Sequence, residues 1–256
     1  MPTRSTSGRA LPFAPRWFVD ARKGRYKGRV SDAPRETDAA RIAALAVALG
    51  RALPAHAVAP LVRYIALVRA WSGKVNLVSA RSRTDVELVE VSFADALVLA
   101  DASLVPQGSR MIDVGAGAGA PSLPLLVLRP DLHATCVEPR HKRAAFLLNA
   151  GQALDLRARL TVLERRIDPA APAAEGGPFD VALSRATLAP PLWLAMGVRL
   201  ASRVLVMTAR EQPPDAPEGF RVVAQTSYAL PSSGAARRIT AYATTRSADA
   251  TAGAPG

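Results

Sequence analysis

Between positions 38 and 100, apolar residues recur every three or four places: Ile42, Leu45, Ala46 and Leu49, then Leu61, Ile65 and Val68, then Val86, Val89, Phe93 and Leu97. That spacing lines one face of an α-helix and predicts three or four helices, with Pro54 and Pro60 punctuating the first pair and 71–83 as a connector. From Ser109 onward the pattern changes. Short apolar runs rich in β-branched residues, at 111–114, 134–138, 160–163, 179–183, 203–207, 221–227 and 238–244, alternate with helix-like stretches. Such alternation predicts a mostly parallel seven-stranded sheet with helices on both faces, and the last two runs, with no helix between them, predict an antiparallel hairpin at one edge. The expected fold class is α/β, a Rossmann-like seven-stranded sheet with an N-terminal helical cap. The expected boundaries are 36–103 for the cap, 104–245 for the sheet domain and 246–256 for a frayed tail rich in Ala, Gly and Thr.

Composition narrows the possibilities. A chain of 256 residues can bury one α/β core and a small appendage. No uninterrupted apolar stretch is long enough to cross a bilayer, so no membrane association is expected and the location is expected to be cytoplasmic. Cys136 is the one cysteine, which excludes an internal disulfide framework; it lies in a strand-like run and reads as core. His56, His133 and His141 are scattered and give no metal cluster. The formal net charge of +12 points to a polyanionic partner such as nucleic acid, although the strong preference for arginine over lysine and the abundance of alanine also fit a codon bias. Much of that charge sits at the start. Over residues 1–30, Arg4, Arg9, Arg16, Arg22, Lys23, Arg25, Lys27 and Arg29 stand against Asp20 alone. The segment 1–35 reads as a basic arm, disordered when free, and either a solvated tail or an RNA contact. It lacks the apolar core of a secretory signal, though its composition is close to that of an organelle transit peptide.

The chemistry concentrates after the first strand-like run. Asp113 is followed by Gly115, Gly117, Gly119 and Ala120, then by Pro121 and Pro124 at the head of an apolar helix. Glycines at alternate positions let the main chain turn sharply and approach a ligand, and the following helix start offers N–H groups to an anionic group. A GxGxG pattern alone is weak. Here it follows a strand, opens a helix, and is followed by a second strand ending at Glu138, whose carboxylate can accept hydrogen bonds from both hydroxyls of a ribose. Gly115, Gly117 and Ala120 also satisfy a relaxed dinucleotide pattern; Asp113 and the antiparallel end of the sheet favour the turn of a class I methyltransferase instead.

The segments WSGKVNLVSA (71–80), MIDVGAGAGAPSLPL (111–125), RPDLHATCVEPRHKRAAFL (129–147), FDVALSRA (179–186) and RRITAYA (237–243) together resemble the bacterial small-subunit ribosomal RNA guanine-N7 methyltransferases, known as RsmG or GidB. The resemblance runs from about Trp71 to Thr244 and is that of a divergent member. It implies S-adenosylmethionine as cofactor, methyl transfer to N7 of a guanine in 16S ribosomal RNA, the small ribosomal subunit as partner, no metal and a monomer. It places cofactor contacts on Gly115, Ala120, Ile167 and Asp168, with Asp113, Gly117, Gly119 and Glu138 completing the site. Arg185, at the carboxyl end of a strand, is implied to hold cofactor or target base and is the candidate catalytic residue. Lys74, Asn76, Lys142 and Arg143 are implied to contact RNA, a solvated helix face being the alternative for the last two. Guanine N7 carries its own lone pair, so positioning suffices and no general base is expected. The sequence departs from the family pattern at Ser92 and Ala96, where a histidine and a serine are usual, at Ser122, where glycine is usual, and near Ala209, where a lysine-glycine pair is usual. These departures leave open another RNA or small-molecule acceptor, or RNA binding without turnover.

Overall fold

The structure, a computed structural model, describes residues 36–73, 75–77, 84–174 and 176–245. The expectations for the arm 1–35, the tail 246–256 and Lys74 fall outside those residues.

Three helices come first: α1 (Glu36–Ala48), α2 (Ala55–Ser72) and α3 (Asp85–Leu99). In α2 the buried set Ala57, Leu61, Tyr64, Ile65 and Val68 follows the helical period that the sequence predicts. Pro60 lies inside α2 instead of punctuating it, a correction to the sequence reading. The buried stripe continues on both sides of that proline, so packing offsets the backbone hydrogen bond it cannot donate. Thr84 and Glu87 form a reciprocal capping box at the start of α3, each side chain accepting the other's backbone N–H. Arg69 of α2 donates to Asp38 of α1 and Asp85 of α3, so one guanidinium ties three helices together. It also holds the buried Asp38 carboxyl below the usual carboxylate range.

The sheet strands are β1 (Arg110–Val114), β2 (His133–Val137), β3 (Leu160–Leu163), β4 (Phe179–Leu183), β5 (Ala201–Thr208), β6 (Phe220–Ala229) and β7 (Ala236–Thr244). Their order is β3-β2-β1-β4-β5-β7-β6; the first five are parallel, and β7 runs antiparallel to both β5 and β6. The expected edge hairpin is therefore present. Between strands lie α4 (Ser122–Leu128), α5 (His141–Ala153) and α6 (Pro190–Gly197).

Alternation along each strand divides the core into two layers. Met111, Ala134, Cys136, Val181, Leu183 and Leu205 face one way, into a cluster with α1 to α5. Ile112, Val114, Val137, Ala182, Val204 and Val206 face the other, against Trp193 and Leu194 of α6. Helices do cover both faces, but among the described residues five lie on one and α6 alone on the other. The reason is the connection 164–178, which holds no helix because Pro169, Pro172, Gly176, Gly177 and Pro178 interrupt it. Helix α4 is buried at all seven positions, which suits its apolar sequence and its place beneath α2 and α3.

Strand order reverses between β1 and β4, so their carboxyl ends open a crevice, the position where open α/β sheets bind ligands. The glycine turn and Arg185 stand on its two sides.

Candidate active site

The glycine turn leaves β1 and is stitched to β2. Gly115 and Ala116 both donate to Val137 O, at 2.8 and 3.1 Å, and Gly117 N donates to Glu138 Oε2 at 2.9 Å. Of the glycines in this turn, Gly115 and Gly117 are partly exposed, whereas Gly119 and Ala120 are buried. A Cβ on Gly119 would come within 2.7 Å of Leu123 Cδ1 and 2.8 Å of Leu147 Cδ2, and one on Gly115 within 2.3 Å of Thr187 Oγ1. A Cβ on Gly117 would meet only Gly115 O at 3.8 Å and Arg143 Nη1 at 3.9 Å. Gly115 and Gly119 are thus packed tightly against the protein itself, while a Cβ at the partly exposed Gly117 would make only ordinary van der Waals contacts.

Asp113 points to the helix-rich face, beside its register partner Cys136, and is 1% exposed. Ser122 donates to its Oδ2 at 2.6 Å. Burial pushes the Asp113 carboxyl up to about 7 against the pull of the Ser122 hydroxyl, and burial likewise pushes the Cys136 thiol up and leaves it inert. The serine that replaces a usual glycine therefore serves as the hydrogen-bond donor to a buried acid. On the other side, Tyr64 of α2 donates to Ala118 O at 2.8 Å, pinning the turn from the helical cap. Leu123 N, expected to be free at the start of the helix, donates to Gly119 O at 2.7 Å.

Glu138 follows β2. Its Oε2 accepts from Gly117 and its Oε1 from Arg140 N at 2.9 Å. A carboxylate has about four lone-pair sites, so each oxygen retains capacity for a further donor. Beyond β3, Ile167 turns its side chain into the second core layer, and Asp168 is exposed with its Oδ1 accepting from Ala170 N.

Arg185 follows β4 on the far side of the crevice. Its Nη1 donates to Val91 O at 2.7 Å and to Asp95 Oδ2 at 3.0 Å, both on α3. Burial works against its charge, but Asp95 more than compensates, and the guanidinium pKa stands above its ordinary value. Ser184 and Thr187, flanking the arginine, both donate to Val114 O at the end of β1. Between them Ala186 adopts φ +56°, a left-handed conformation that side chains disfavour and that these two hydroxyl anchors hold in place. In the segment that departs from the family pattern, Ser92 and Ala96 are buried in α3, and the retained Asp95 is the residue that reaches Arg185.

Of the residues implied to contact RNA, Arg143 and Asn76 meet: the guanidinium donates to Asn76 O through Nη2 at 2.6 Å and Nε at 3.1 Å. Lys142 is exposed on α5 and Lys74 is outside the described residues. Tyr64, Thr187 and Tyr228 belong to the site's framework and escape the sequence reading. Tyr64 alone leaves a signal, as a polar tip on an otherwise apolar helical stripe that needs a partner when buried.

These residues fit a nucleoside-bearing cofactor. The observations that support it are the partly exposed Gly117, a Glu138 carboxylate with spare acceptor capacity bonded to its main chain, and their place at the reversal of strand order. Among the described residues no group of three or more His, Cys, Asp or Glu could hold a metal ion, and no helix is long and apolar enough to cross a membrane.

The profile of the family described as "GidB: rRNA small subunit methyltransferase G" matches residues 57–191, spanning the glycine turn, Glu138 and Arg185. A ribosomal RNA small subunit methyltransferase G from Anaeromyxobacter dehalogenans (strain 2CP-C) is 36% identical over 202 residues, covering 75% of this chain and 91% of the relative. A protein of the same name from Myxococcus xanthus (strain DK1622) is 32% identical over 213 residues, covering 79% and 95%. Among solved structures, a SAM-dependent methyltransferase from Thiobacillus denitrificans in complex with S-adenosyl-L-homocysteine aligns with 59% of this chain and 91% of its own at 12% identity and a TM-score of 0.44. With its glycine turn, Glu138 and Arg185 inside the matched span and relatives of that similarity over three quarters of its length, the chain belongs to the rRNA small subunit methyltransferase G family.

Proposed function

We propose that this chain transfers a methyl group from S-adenosylmethionine to N7 of a guanine in small-subunit (16S) ribosomal RNA. The observation that carries the reading is family membership, joined to a partly exposed Gly117 whose main chain is bonded to Glu138. When bound, the cofactor supplies an electrophilic methyl group on a sulfonium. Gly117 admits it close to the main chain, and Glu138 accepts hydrogen bonds from the ribose. Ile167 and Asp168 are assigned to the adenine edge, while Gly115, Gly119, Ala120 and the buried Asp113 fix the path of the turn.

Guanine N7 takes the methyl without losing a proton, so the chain needs no general base; its work is to align the acceptor and exclude water. Arg185 is assigned to the acceptor side of the crevice. Asn76, Lys142 and Arg143, with Lys74 and the basic arm 1–35, are assigned to the RNA, where phosphate contacts dominate affinity. In this reading 36–103 is a helical cap, 104–245 the catalytic domain and 246–256 a tail, and the protein acts as a cytoplasmic monomer on the small ribosomal subunit.

The test incubates purified protein and S-adenosylmethionine with small subunits from a strain lacking the modification, then digests the RNA for mass spectrometry. Appearance of N7-methylguanosine at one 16S position is expected. Unmodified RNA, with cofactor binding intact by calorimetry, would instead favour another acceptor or RNA binding without turnover.

A further inference from the structure

Arg185 could lie in many orientations on the end of β4; tertiary contacts select one. Both N–H groups of Nη1 are taken, one by Val91 O and one by Asp95 Oδ2. Asp95 is itself held, because its Oδ1 accepts the hydroxyl of Tyr228 from β6. Four residues further down the hairpin, Ser232 donates through both backbone N and hydroxyl to Glu90 of α3. Two acids of one helix thus clamp the edge hairpin, and one of them also grips the arginine. Arg185 has five N–H donors in a rigid plane. Fixing Nη1 at two acceptors fixes the plane, and the three N–H groups on Nε and Nη2 have no protein partner among the described residues. The Arg185 side chain is 35% exposed and that of Asp95 14%, and Arg185 stands just past the carboxyl end of β4, beside the crevice.

Holding matters for this chemistry. A free arginine meeting guanine prefers to bond O6 and N7 together. That clamp would cover the N7 lone pair that has to attack the methyl carbon. An arginine whose plane the protein fixes can be set with one N–H toward O6 and none toward N7, while adenine, which presents an N6 donor where guanine has O6, meets donor against donor.

We infer that Asp95, braced by Tyr228, is a positioning residue of the methyl transfer: it holds Arg185 so that the free edge of the guanidinium engages guanine O6 and leaves N7 open. The inference rests on the function proposed above. It places the acceptor specificity partly on α3 and on the edge hairpin, outside the glycine turn.

The experiment compares wild type, Asp95→Asn and Tyr228→Phe in methylation of unmodified small subunits, with S-adenosylhomocysteine affinity by calorimetry and subunit affinity by filter binding. For Asp95→Asn the expected result is a kcat lowered by about a hundredfold, the effect of misplacing a reacting group by an ångström. KM and subunit affinity should stay unchanged or tighten as the released arginine clamps O6 and N7, and cofactor affinity should stay within twofold. Tyr228→Phe, which removes one oxygen, should show the same split at smaller size, and it decides the matter if Asp95→Asn does not fold. An unchanged kcat in a folded variant, or a kcat loss matched by equal loss of subunit or cofactor binding, overturns the inference while leaving the function standing. A wild-type protein that leaves the guanine unmodified overturns the function and the inference together.

Discussion

The glycine turn and the Arg185 side of the crevice end neighbouring strands, β1 and β4, yet they are built in opposite ways. Apart from Tyr64, the turn's bonds come from nearby sequence: Ser122 to Asp113 spans nine positions and Gly117 to Glu138 spans 21. Arg185 depends on partners 90 and 94 positions away, and Asp95 in turn on Tyr228, 133 positions away. The proposed cofactor side is thus a local device that a short peptide pattern nearly specifies. The proposed acceptor side exists only once the helices, the fourth strand and the edge hairpin have assembled. Substitutions should therefore separate the two sides, one losing cofactor and the other losing turnover.

The largest effect is expected at Gly117→Asp. A charged side chain placed in the space that the cofactor's main-chain contact needs should abolish S-adenosylhomocysteine binding in calorimetry while the circular dichroism spectrum is retained. Full affinity in a folded variant would remove the turn from the site. Next, Arg185→Ala should lower turnover by about a hundredfold, the scale for losing one aligned donor, with cofactor affinity within twofold. A loss of cofactor affinity would erase the division between the two sides. Gly119→Ala tests the packing half of the turn. With φ at +81° and two leucine side chains within 2.8 Å of the new Cβ, it should cost about 1–3 kcal/mol in urea unfolding.

The smallest effect concerns pH. Folded Asp113 holds its proton up to about 7, against 3.8 as its ordinary value. Between those values the folded chain binds a proton that the unfolded chain has lost, so this group makes stability fall as pH rises from about 4 to about 7, and adds no further slope above. Asp113→Asn, which keeps an acceptor for Ser122, should flatten that part of the profile in urea melts at pH 5 and pH 7.5. An unchanged slope would show that Asp113 does not titrate there.

Much of this could be read from residue order. The seven strands fall within two or three residues of the apolar runs, and α2 and α3 lie where the three-and-four spacing puts them. Glu138 sits one residue beyond β2, beside Gly117, as the strand-turn-helix context requires. Other features escaped. Pro60 reads as a break but is carried inside α2 by packing on both sides. The uneven covering of the sheet follows from prolines and glycines in 164–178, whose effect becomes plain only when the other connections are seen to contain helices. Arg143 reads as a surface cation, whereas its guanidinium is engaged with Asn76 O.

Periodicity, glycine spacing and an acid at a strand end are enough to determine this protein's class of fold and the shape of the glycine turn proposed to hold its cofactor, because those features act through the backbone and through neighbours close in the chain. The hold on Arg185 was decided by tertiary structure alone. The family segment around Asp95 does not show what the acid holds, and only the folding of α3 against β4 and the edge hairpin brings a carboxylate, a guanidinium and a phenol within hydrogen-bonding reach.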